Sequence, residues 1–148
     1  MRNPQAFVTI SEDQRKSAAA VIAHLKSILY EFPQCNETLH IVSDSAASQY
    51  RNMCTMSLMK KLCEELNIKM FNWNFTEAGH GKSAADGVGA AVKRALDNEV
   101  VCKLKSVQFA ADVPRILSRN ESSILCKIVT ADDINEVAKN IPEYLPRE

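Results

Sequence analysis

The sequence predicts an α/β layered domain with parallel central strands. Three observations carry that expectation. Strand-like and helix-like segments alternate along the chain, the pattern of a sheet covered by crossover helices. The composition is that of an ordinary globular chain, 148 residues with 46% apolar and 24% charged side chains, which excludes a disordered tail, a collagen-like fibre and a small disulfide scaffold. The only four glycines, Gly79, Gly81, Gly87 and Gly89, all fall in one short stretch. Average usage would give roughly ten, so backbone freedom is concentrated there, which makes the stretch the main candidate for function.

The elements follow in order. Residues 6–10, Ala-Phe-Val-Thr-Ile, are β-branched and aromatic and read as a short strand. Ser11-Glu12-Asp13-Gln14 has capping-box spacing. Ala18, Val21, Ile22, Leu25, Ile28, Leu29 and Phe32 then form a helical stripe that Pro33 ends. Leu39-His40-Ile41-Val42 reads as a second strand. After Asp44 a turn of small residues, Ser45-Ala46-Ala47-Ser48, leads into a helix over 49–66 carrying Tyr50, Met53, Met59, Leu62, Cys63 and Leu66, and Asn67 suits its end. Residues 68–75 alternate, with Ile68, Met70 and Asn72 to one side and Lys69, Phe71, Trp73 and Phe75 to the other, as a third strand does.

The glycine segment follows, and Ser83 opens a helix with Val88, Val92, Ala95 and Leu96 on one face. Residues 106–119 look helical but contain Pro114, which predicts a break or two short helices. Residues 123–129 read as a strand, and Thr130 caps a last helix running to about Ile141, where Pro142 ends it. The whole chain, 1–148, reads as one domain: strand-helix repeats over 6–100 and a helix-strand-helix extension over 101–148.

Lysine plus arginine equals aspartate plus glutamate, 18 each. This balance argues against nucleic-acid binding by bulk charge, while a local basic patch stays open. No apolar run approaches the roughly 20 residues of a membrane span, and the N-terminus lacks the signal-peptide pattern. Cysteines at 35, 54, 63, 102 and 126 are odd in number and show no C-x-x-C spacing. They read as reduced intracellular thiols and suggest neither a disulfide framework nor a structural zinc site.

Gly79-His80-Gly81-Lys82-Ser83 ends like a phosphate-binding loop, but the first glycine of that pattern falls on Thr76. A dinucleotide fingerprint begun at Gly79 needs a glycine where Ala84 stands, and one begun at Gly87 needs it at Val92. What survives is a glycine loop feeding a helix N-terminus, with Lys82, Lys93 and Arg94 adding cations, a place suited to a phosphate group. Asp44 ends a strand at the edge where open α/β sheets bind ligands. Asp86 lies 42 residues later in the first helical turn. Two carboxylates brought together could hold a divalent metal for phosphoryl transfer.

Each residue also has a plainer reading. Asp44 could bond its own turn, and Ser83-x-x-Asp86 has capping-box spacing. His80 reads equally as a solvated loop histidine, Lys93-Arg94 as a solvated face, and His24 and His40 as structural. Trp73, Phe71 and Phe75 pack one sheet face, or form a partner surface if nothing covers them.

Ile41-Val42-Ser43-Asp44-Ser45-Ala46-Ala47-Ser48-Gln49-Tyr50-Arg51-Asn52 and the later Gly79-His80-Gly81-Lys82-Ser83-Ala84-Ala85-Asp86-Gly87-Val88-Gly89-Ala90-Ala91-Val92-Lys93-Arg94 together resemble a group of transposon-derived animal proteins. That group's pattern is approximately S-D-G-A-A-S-Q-Y-K-N followed by H-G-K-G-x-C-D-G-x-G-G-x-x-K-R. Its members are similar to the RNase H-like superfamily, which includes DDE transposases and retroviral integrases. The resemblance runs from about Phe7 to the last helix and is sharp in the two motifs.

It implies an RNase H-like layered fold, a mixed sheet with central parallel strands flanked by helices. Asp44 would be the acid ending the fourth strand, Asp86 the acid on the late helix, and Glu12 would stand where some relatives carry another acid. If active, these three would be catalytic and Asp44 and Asp86 would hold Mg²⁺ or Mn²⁺; if inactive, no cofactor is expected. Gln49, Arg51 and Asn52 of the first motif, and His80, Gly81, Lys82, Lys93 and Arg94 of the second, would contact nucleic acid or phosphate. The chain begins at what would be the third strand, so the first two strands and the acid of the first are missing. A piece of a longer chain, strands supplied by another chain, and a degenerate domain all fit that pattern. Ser45, Ser83 and Ala90 replace expected glycines, and Ala85 replaces an expected cysteine.

Two functions follow. The first is a catalytically inactive, transposase-derived module in nuclear regulation or genome defence, binding protein partners or nucleic acid, with self-association open and no membrane contact. The second is a Mg²⁺-dependent nuclease or strand-transfer domain.

Overall fold

In a computed structural model of the chain, the described residues are 4–32, 37–45, 50–76, 83–103, 106–119 and 123–145. They form four strands and five helices: β1 (Phe7–Ile10), α1 (Ala18–Leu29), β2 (Thr38–Asp44), α2 (Met53–Glu65), β3 (Met70–Thr76), α3 (Ala84–Lys103), α4 (Asp112–Arg119), β4 (Leu125–Ile128) and α5 (Ala131–Ala138). The α/β class and the parallel strands are as the alternation predicts. The strands form two parallel pairs, β2 with β3 and β1 with β4.

The chain divides into two compact units. One takes residues 1–12 and 82–128, the other residues 13–81 and 129–148. The second unit holds the larger core. Within it α1 packs on α2 and α5. Ala18, Ala19, Ala20 and Ala23 are all buried, short side chains that let neighbouring helices approach closely, and Ile22, Leu58, Met59 and Ile134 fill the space between.

The predicted apolar stripe of α1 holds, but its start does not. Ser17, not Ser11, caps the helix, its hydroxyl accepting the Ala20 N–H. The acids after Ser11 are occupied elsewhere. Asp13 accepts both the Arg15 backbone N–H and its guanidinium, and the same guanidinium donates to Asn135 Oδ1 at 2.9 Å. Local side-chain bonds of this kind offer the backbone an alternative to helix. At the far end Tyr30 donates to Glu65, which Lys26 approaches at 2.9 Å, joining α1 to α2. The Tyr30 hydroxyl holds the Glu65 carboxyl below its usual range, with Lys26 adding to the effect.

α2 begins four residues later than the sequence suggests, because Asn52 is its cap and accepts the Thr55 N–H at 2.8 Å. The buried face is accordingly Cys54, Thr55, Leu58, Met59, Leu62 and Cys63, while Met53 at the first helical position is 70% exposed. Asn67 ends the helix as its residue type predicts, with a left-handed φ of 56°. The Ile68 N–H reaches the Cys63 carbonyl and the Asn67 N–H the Glu64 carbonyl, the paired closing bonds of a Schellman motif, and Ile68 is buried.

β2 and β3 pair in register from Thr38↔Met70 to Asp44↔Thr76. Their side chains alternate as expected: Leu39, Ile41, Phe71 and Trp73 pack toward the core, and Val42 and Met70 stand exposed. α5 carries a complete capping box, with Thr130 and Asp133 exchanging bonds. It ends at Ala138, short of the expected Ile141, and turns lead on to Pro142.

The first unit is built on Val92, Val113 and Leu117, with Val8, Ile10, Ala95, Leu96, Ile124 and Cys126 packed against them. β1 and β4 pair from Phe7↔Leu125 to Ile10↔Ile128. The Pro114 expectation resolves simply. α4 begins at Asp112, which puts the proline in the first turn, where no N–H is required. The Asp112 carboxylate accepts the Phe109 and Gln108 N–H groups, which hold its carboxyl below the usual range. No described helix is long and apolar enough to cross a membrane.

Candidate functional site

The C-terminal end of the β2–β3 pair gathers polar and aromatic side chains in the second unit. Strand alternation puts Ser43, Trp73 and Phe75 half-buried on one face and leaves Asp44 exposed at the strand end. The Trp73 indole N–H donates to Ser43 Oγ at 2.9 Å, the Ser43 hydroxyl donates to the Asp44 carbonyl, and Thr76 donates to the Ser43 carbonyl. Tyr50 and Phe75 flank Trp73, each with ring centroids 6.0 Å away; Phe75 lies nearly parallel to it. Burial raises the Tyr50 phenol above its ordinary pKa, and the Asp44 charge pushes the same way. Tyr50 is therefore a protonated donor within the electrostatic reach of an exposed carboxylate.

The other motif residues are placed as follows. Arg51 is exposed beside Tyr50, and the side-chain oxygen of Asn52 is taken by the α2 cap. Gln49, His80, Gly81 and Lys82 lie outside the described residues. Asp86 sits in the first turn of α3, in the other unit from Asp44. Its Oδ2 accepts the Ser83 N–H at 2.9 Å and the Ser83 hydroxyl at 3.2 Å, while the Asp86 N–H donates back to Ser83 Oγ. This is the capping box that the Ser83-x-x-Asp86 spacing allows. Lys93 and Arg94 are exposed on α3. Glu12 Oε1 accepts the Ala110 N–H at 3.1 Å and so fastens the turn before α4. Among the described residues no group of three or more histidine, cysteine, aspartate or glutamate side chains gathers as a metal centre would.

Glu99 is a buried acid that motif reading passed over. It lies on the buried face of α3, 3% exposed, with Arg119 at 3.8 Å, beside a cavity of about 150 Å³ that Asp112 and Arg115 also line. Its signal is in the sequence: Glu99 continues the Val88, Val92, Ala95 stripe, and an acid on a buried helix face implies a partner.

Neither curated proteins nor solved structures offer a match to this chain. One family model does match, over residues 2–146, so the chain belongs to the family described as a domain of unknown function, DUF8701.

Proposed function

We propose that this chain is a transposase-derived, RNase H-like module that acts by binding and has given up metal-dependent phosphoryl transfer. The resemblance of the Asp44 and Asp86 motifs supplies the descent. The observation that carries the loss of chemistry is the use made of the acids. One Asp86 oxygen receives two Ser83 donors, and Glu12 receives a backbone N–H. Such bonds satisfy helix and turn ends, and they draw on the lone pairs with which a carboxylate holds a cation. These bonds support a binding role over Mg²⁺ or Mn²⁺ chemistry, and no reaction step is routed through a metal.

Binding would use the strand-end surface of Asp44, Tyr50 and Arg51, with protein the favoured partner because the chain carries no net charge. Nuclear regulation or genome defence is the setting that the resemblance suggests.

The test is a cleavage assay on the full chain with labelled single- and double-stranded DNA in Mg²⁺ or Mn²⁺. The expected result is no cleavage above an Asp44→Asn/Asp86→Asn control. Metal-dependent cutting that the double substitution abolishes would overturn the reading in favour of a nuclease or strand-transfer domain.

A further inference from the structure

α3 buries one face through Val92 and Glu99. On the opposite side runs a second stripe, Gly87, Ala90, Arg94, Asp97 and Val101, spaced three, four, three, four, and every member is exposed. That is heptad spacing, by which one helix presents a seam to another. Two of its features have no use among the described residues. A Cβ added at Gly87 would meet nothing within 4 Å, and the position is helical, so neither a close neighbour nor a left-handed turn calls for glycine there. Val101 is 72% exposed, with Val100 exposed beside it.

We propose that α3 pairs antiparallel with α3 of a second copy of this chain. The charge pattern selects that occupant. About a two-fold axis between Ala95 and Leu96, Arg94 meets the partner's Asp97 and Ala90 meets the partner's Val101. Symmetry makes each pairing twice. Every such layer matches cation to anion or small to large, and Gly87 leaves room at the end of the seam. A polyanion would meet Asp86 and Asp97 on the same side of the helix, whereas a second copy turns Asp97 to use. The balance of 18 basic and 18 acidic side chains leaves no long-range repulsion between copies. This inference goes beyond the binding role proposed above and is tested apart from it, by mass and not by cleavage.

The experiment is sedimentation equilibrium of the full chain over a wide concentration range at low salt. The mass should rise from 16.5 kDa toward twice that value. Arg94→Glu should weaken the association at least tenfold, and Arg94→Glu/Asp97→Arg should restore it, with unchanged far-UV circular dichroism throughout. A single-chain mass at every concentration, or association indifferent to Arg94→Glu, would overturn the proposal. So would failure of the double variant to recover, or an Arg94→Glu effect confined to DNA binding.

Discussion

His24 has a ring nitrogen, Nδ1, that is buried and lacks a hydrogen-bond partner among the described residues. Burial lowers its pKa below the ordinary 6.5. The unfolded chain therefore takes up a proton that the folded chain resists. Stability from this group is complete above about pH 6.5 and falls as pH drops toward the lowered folded value. Urea unfolding at pH 7.5 and 5.5 should show that loss, and His24→Gln should reduce the difference. At the core, Ile134 is fully buried. Ile134→Ala should cost about 2–5 kcal/mol in the same experiment, because the surrounding side chains cannot close the cavity. The apolar stripe of the first helix makes Ile22 legible as an interior residue. The burial of Met59 against the exposure of Met53 is not, because it turns on where the Asn52 cap starts the helix.

The starts of α3 and α5 were readable from Ser83 and Thr130. Thr130 caps the last helix as expected and Asp133 completes a box with it, and Thr130→Ala should cost about 1 kcal/mol by thermal unfolding. Ser11 has the same spacing and fails, because Glu12 binds the Ala110 backbone and Asp13 binds Arg15. The Glu12 bond joins residues 98 apart, and no local pattern reveals it. On α3 the glycines are an element-scale expense. With open space at the Cβ position, Gly87→Ala should stabilise the dilute chain by about 0.5–1 kcal/mol, as read from its urea midpoint. A loss of stability instead would mean that the glycine serves a contact within the chain.

Across the whole molecule, alternation of strands and helices made the α/β class and the parallel pairing legible. It did not reveal that the strands pair two by two, since pairing partners depend on tertiary packing and not on local period. The two units differ in interior size: the buried cluster around α1, α2 and α5 is much larger than the one formed by Val92, Val113 and Leu117. Amide exchange should therefore be slower in α1 and α2 than in α4, and equal protection in all three would contradict this account of the two cores.

The candidate acids were visible from their motifs, but their employment was not, because a capping acid and a metal ligand share the same residue type and place on a helix. One measurement separates them: urea unfolding of Asp86→Asn beside the unaltered chain, in EDTA and again in Mg²⁺. If Asp86 is a capping acid, the substitution lowers stability by about 0.3–1 kcal/mol, from lost charge at the helix N-terminus, and Mg²⁺ changes neither protein. If Asp86 belongs to a repelling carboxylate site, Asp86→Asn is the more stable protein in EDTA, and Mg²⁺ stabilises only the unaltered chain. That second outcome would contradict the central claim.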